Sequence, residues 1–133
     1  MSIPSELRAG TVLTASRTLT ESDIARCAKL TGDYGAHHTA GIEGRPIAQG
    51  LLTVAAAPLM RNDNGFHLLS VSLTFLAPVF ADDRVTAEVR LIEVTPGVDG
   101  RLDVRLSLAV RNPDGVDVIT GDGAGYFTEP DTL

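Results

Sequence analysis

The chain has 133 residues, is 44% hydrophobic and carries 11 basic against 17 acidic residues, a net charge of -6. That length suits one domain over 1–133 with one packed core, and the acidic balance argues against a nucleic-acid partner, which needs a basic face. A single cysteine, Cys27, excludes an internal disulfide and reads as a small core hydrophobe.

In chain order, MSIPSELRAG has neither the basic nor the apolar segment of a secretory leader. Thr11–Leu19 is rich in β-branched residues and reads as a strand. Thr20 then caps a helix over Glu21–Leu30, with Glu21 and Asp23 in the first turn, where the dipole favours acids. Ile24, Cys27, Ala28 and Leu30 supply its apolar face, and Gly32 its left-handed exit. The stretch 33–46 is irregular and holds Gly35, Gly41 and Gly44. Ile47–Met60 has almost no polar face, which predicts a buried helix with Pro58 near its end. That run is short of the roughly 20 residues of a membrane span, so a cytoplasmic protein with no membrane partner is expected. Asn62–Gly65 is a turn signal. Beyond it His67, Leu69, Val71, Leu73 and Phe75 share one strand face. Two more strands alternate through Val85–Leu91 and Leu102–Val110, and a last one runs from Val116 to Phe127. Gly121, Gly123 and Gly125 imply a twist, a bulge or close packing there. Turns at Thr95–Gly100 and Asn112–Gly115 make hairpins. The expected architecture is α+β: a four-stranded antiparallel meander curled around a buried central helix, the hot-dog arrangement.

The segment that promises chemistry is Thr31–His38, TGDYGAHH. An acid, Asp33, and an imidazole, His38, stand five residues apart in a glycine-containing loop before the buried helix. Taken singly, Asp33 reads more readily as a turn residue and His38 as an exposed loop residue. Tyr34 could line a pocket or pack on the first helix. No metal-ligand spacing accompanies His37 and His38, no phosphate-cradling glycine motif or serine elbow is present, and no cofactor is expected. Arg45 and Arg61 are candidates for a local basic patch, and His67 reads as an ordinary strand histidine.

These segments together resemble the MaoC-like (R)-specific enoyl-thioester hydratases and dehydratases. The resemblance rests on Ser16–Ile24 (SRTLTESDI), on TGDYGAHH against the family's S/T-G-D-x-N-P-x-H, on Ile47–Leu52 (IAQGLL) against I-A-H-G-[LM]-L, and on Phe75–Val79 (FLAPV). Four matches in order are specific where one is weak. The resemblance implies that Asp33 and His38 are the catalytic pair that holds the water added to, or removed from, a thioester-conjugated double bond. A carboxylate and an imidazole suit both proton transfers near neutral pH. The Gly50 N–H, at the start of the buried helix, is the expected oxyanion donor, although a glycine packed on a strand explains it equally well. Gln49 and Tyr34 are further candidates for substrate contact.

Three departures stand out. Gly35-Ala36 replaces the family's Asn-Pro, Gln49 replaces its His, and the loop from His38 to Ile47 is short. They point to a specialised acyl-CoA or carrier-protein thioester, in fatty-acid or polyketide-type metabolism. A hot-dog thioesterase, a cyclase or isomerase, and a catalytically silent binding module are the competing readings. A homodimer is expected, because a lone hot-dog sheet leaves an edge exposed.

Overall fold

The computed structural model describes residues 7–58 and 65–128. Strand β1 (Val12–Thr18) leads into α1 (Glu21–Thr31), followed by a short helical turn α2 (Ala36–Thr39) and a five-residue helix α3 (Gly50–Val54). Then come β2 (Phe66–Phe75), β3 (Arg84–Pro96), β4 (Leu102–Arg111) and β5 (Asp117–Phe127), with a 3₁₀ turn at Val98–Gly100 between β3 and β4.

Helix α1 begins as its sequence requires. The Thr20 hydroxyl accepts from the Asp23 N–H and the Asp23 carboxylate accepts from the Thr20 N–H, both at 3.1 Å. This reciprocal pair satisfies two otherwise orphaned donors. The helix ends at Gly32, whose φ of 77° is left-handed and whose N–H donates to the Ala28 carbonyl at 2.8 Å. Ile24 and Ala28 are buried and Cys27 is half-buried. Leu30, expected on the same face, is 87% exposed.

The five strands form one antiparallel sheet in the order β1-β3-β4-β5-β2. Val85, Ala87, Val89 and Leu91 are at most 1% exposed on β3. Val104, Leu106, Leu108 and Val110 match them from β4. Each fully buried Val or Leu contributes about 1.5–3 kcal/mol. This curled sheet against a thin helical layer is the hot-dog fold.

Three expectations need correction. The strands do not form a four-stranded meander: β3, β4 and β5 do, but β2 pairs with β5 at the far edge. The segment 76–83 cannot close a hairpin, because its backbone is tied elsewhere. The Ala48 N–H donates to the Val79 carbonyl, Asp82 N–H to Leu19 carbonyl and Leu19 N–H to Asp83 carbonyl. The glycines of β5 accept β2 instead. A Cβ on Gly121, Gly123 or Gly125 would lie 2.4, 2.6 or 2.3 Å from a β2 carbonyl oxygen.

The proposed face of β2 is also broken. A bulge between Leu68 and Ser70 inserts a residue and reverses the alternation. Phe66, Leu68, Val71 and Leu73 therefore look inward, while Leu69 is 66% exposed.

Finally, the buried helix is short. Ile47 is bridged to Phe80 as extended chain, and only Gly50–Val54 is α-helical. From Ala55 to Ala57 the N–H groups bond three residues back and the helix tightens. Pro58, lacking an N–H, follows, and Leu59 and Met60 lie outside the described residues.

Candidate active site

The loop after α1 is shaped by small local bonds. The Asp33 N–H donates to the Thr31 hydroxyl and the Gly35 N–H to Asp33 Oδ1, both at 3.2 Å. That Asx-type turn feeds α2, where the His38 N–H bonds the Gly35 carbonyl at 2.9 Å. The turn and the helical coil after it bring Asp33 and His38 together. Asp33 Oδ2 stands 3.3 Å from His38 Nε2.

His38 is 8% exposed and its other ring nitrogen is anchored. Nδ1 lies 2.6 Å from the Ile47 carbonyl. A carbonyl only accepts, so Nδ1 carries the proton and Nε2 is the nitrogen left to exchange one. The same strand-like segment is fastened by the Ile47 N–H donating to the His37 carbonyl at 2.8 Å. The short loop between them turns tightly at Gly41, Glu43 and Gly44, all at positive φ, with Ile42 bridged to Arg45.

His38 opens onto a cavity of about 550 Å³, lined also by His37, Gly50, Leu51, Thr53 and Phe75. Gly50 begins α3, which has no side-chain cap. A Cβ there would sit 2.4 Å from Phe75 Cε1, so glycine is also what lets the ring lie on the helix start. A helix of five residues has little cumulative dipole, and any anion here is met by individual N–H groups. A second, apolar cavity of about 350 Å³ lies between α3 and the sheet and shares Leu51 with the first.

The other sequence candidates lie elsewhere. Asp33 is not among the cavity-lining residues; it reaches the cavity only through its contact with His38, and its side chain is half exposed. Tyr34 is 61% exposed and does not line the cavity. Gln49 is buried but turned towards α1, its Nε2 donating to the Ile24 carbonyl at 3.0 Å, with Oε1 left without a partner. Its polar head therefore joins two helices and is not aimed at the cavity. Arg45 is held by Asp83 at 3.7 Å and lies over the Phe80 ring, while Arg61 is outside the described residues. His67 stacks on Tyr126 at 4.7 Å, far along the sheet. The sequence reading missed Thr53 and Phe75 as cavity walls. Both lie in apolar runs where nothing in the pattern marks a pocket.

Among the described residues, no set of three or more His, Cys, Asp or Glu side chains is placed to hold a metal ion. No helix there is long and apolar enough to cross a membrane.

A hot-dog sheet thus carries an acid–imidazole pair beside a cavity that the imidazole lines. The family pattern of the MaoC like domain matches residues 6–110, and the chain belongs to this family of hydratases and dehydratases. No curated protein matches it. Among solved structures it is similar to the (R)-hydratase from A. caviae involved in PHA biosynthesis, at 27% identity and a TM-score of 0.70, over 91% of this chain and 97% of that one. It is similar to the R-hydratase PhaJ1 from Pseudomonas aeruginosa at 25% identity and 0.72, over 96% and 86%. It is also similar to a monoamine oxidase regulatory protein from Archaeoglobus, at 26% and 0.76, over 96% and 94%.

Proposed function

We propose that the chain hydrates an enoyl thioester, or dehydrates the corresponding 3-hydroxyacyl thioester, with Asp33 and His38 as its catalytic pair. The observation that carries this is the Nδ1 contact to the Ile47 carbonyl, which leaves Nε2 beside Asp33 as the exchanging nitrogen. In the hydration direction, a water on the cavity side within reach of both groups loses a proton to the pair as its oxygen bonds C3. C2 takes up a proton from the pair. The net addition is hydroxyl at C3 and hydrogen at C2, and the pair ends as it began. The charge that gathers on the thioester oxygen is met by the Gly50 N–H at the uncapped start of α3.

The apolar cavity beyond Leu51 suits the acyl chain. The carrier is CoA or an acyl carrier protein, and a cytoplasmic location agrees with either. A homodimer fits β2, an edge strand whose backbone is unpaired on one side and whose Leu69 is 66% exposed. The test is loss of conjugated-thioester absorbance from crotonyl-CoA and longer enoyl-CoAs. Asp33→Asn and His38→Ala each remove turnover while circular dichroism stays native. Activity retained in either variant refutes the assignment of the pair.

A further inference from the structure

His37 lies next to the pair and takes no part in the proposed proton transfers. Its ring packs at a tilt against His38, with centroids 3.8 Å apart and planes inclined by 47°. It lines the same cavity. Its place depends on the residue two before it. Gly35 has a negative φ, -52° with ψ 142°, so a left-handed backbone is not what calls for glycine there. A Cβ on Gly35 would nevertheless lie 2.8 Å from His37 Cε1, 3.1 Å from His37 Nδ1 and 3.3 Å from Asp33 Oδ1. The glycine is therefore kept by the space it leaves and not by its torsions. The His37 ring and the Asp33 carboxylate both border that space, and the same ring packs on His38.

We infer that His37 is a positioning residue: its ring borders the gap left by Gly35 and braces the His38 imidazole towards Asp33. This rests on the proposed catalytic pair. The His38 ring is anchored tightly at Nδ1 by the Ile47 carbonyl, at 2.6 Å, while at Nε2 it meets only the longer 3.3 Å contact to the half-exposed Asp33 carboxylate. The looser end can rock about the tighter one, and a packed neighbouring ring limits that movement. The contact is one of shape, so a phenyl ring serves as well as an imidazole.

The test compares wild type with His37→Ala, His37→Phe, Gly35→Ala and the double variant Gly35→Ala/His37→Ala. Enoyl-CoA hydration kinetics are one readout, and the ring signals of His38 in histidine-labelled protein by NMR are the other. His37→Ala lowers kcat about tenfold, short of the roughly hundredfold that a 1 Å misplacement can cost. KM stays within about twofold, since the acyl chain is assigned to the apolar cavity, which His37 does not line. The His38 ring protons lose the shift caused by the adjacent ring. His37→Phe restores both. Gly35→Ala behaves like His37→Ala, because its methyl unseats the ring, and the double variant is no worse than either single one. The inference is overturned if His37→Ala leaves kcat and the His38 signals unchanged, if His37→Phe fails to rescue, or if the two single losses multiply. Should wild type hydrate no enoyl-CoA, the proposed activity fails. The NMR signals then decide the bracing alone: a change in His37→Ala supports it and constancy refutes it.

Discussion

Replacing Gly50 by alanine separates what the glycine does for packing from what its N–H does for chemistry. The added methyl would stand 2.4 Å from Phe75 Cε1, 2.7 Å from Cδ1 and 3.0 Å from Cζ. No carbon pair tolerates that, so the ring must move. Overpacking of this kind costs about 1–3 kcal/mol. Against it, alanine is favoured over glycine in a helix by up to about 1 kcal/mol, and Phe75, 53% exposed, can swing outward. The net loss expected is about 1 kcal/mol. Phe75→Ala removes the obstacle, so Gly50→Ala/Phe75→Ala regains the methyl's cost, with a coupling energy of about 2 kcal/mol between the two changes, the size of the clash alone. Urea melts of the four proteins at one fixed protein concentration measure it, the concentration being held because a dimer's stability depends on it. Turnover should follow the same pattern, since alanine keeps the backbone N–H. Strictly additive stabilities would refute the packing account. Turnover still lost in a double variant of restored stability would show that Gly50 is needed for the approach of substrate itself.

Further outcomes follow from the scaffold. Thr20→Ala removes one half of the reciprocal cap and should cost about 1 kcal/mol in thermal or urea unfolding. The backbone N–H of Thr20, more than its hydroxyl or Arg17 and Arg26, holds the Asp23 carboxyl below its ordinary 3.8. Because the folded value is lowered, this stabilisation is complete above the unfolded value and fades as pH falls through the folded one. Asp23→Asn should therefore be less stable than wild type at pH 7, with the gap closing below about pH 3.8. Gly121→Val should unfold more easily than Gly121→Ala, by over about 1 kcal/mol, because both collide with the Ser72 carbonyl oxygen and the larger side chain cannot yield. Equal stability in a paired melt would mean that β2 does not lie so close.

What could be read from the residues, and what could not, divides along a physical line. The cap of α1, its glycine exit and the inward rows of β3 and β4 are local rules, each decided within a few residues of chain. The five-residue interval from Asp33 to His38 is local too, and one turn of chain is enough to bring their side chains to 3.3 Å. The partner of β2 is not local. Alternation says which side of a strand is apolar and nothing about which strand lies beside it. Here the choice was made by three glycines some fifty residues further on. The length of α3 was hidden for another reason. A run that is apolar on every side has no period, so its first three residues could pair as extended chain without any change of pattern. Gln49 shows the same limit, for its amide was free to face the cavity or α1, and an acceptor on Ile24 decided. The feature that most defines the site, the bond fixing the His38 tautomer, ends on a backbone carbonyl. Every residue carries one, so no choice of side chain at position 47 announces it. For that reason the chemistry of His38 is better probed through the loop that sets Ile47 than through Ile47 itself.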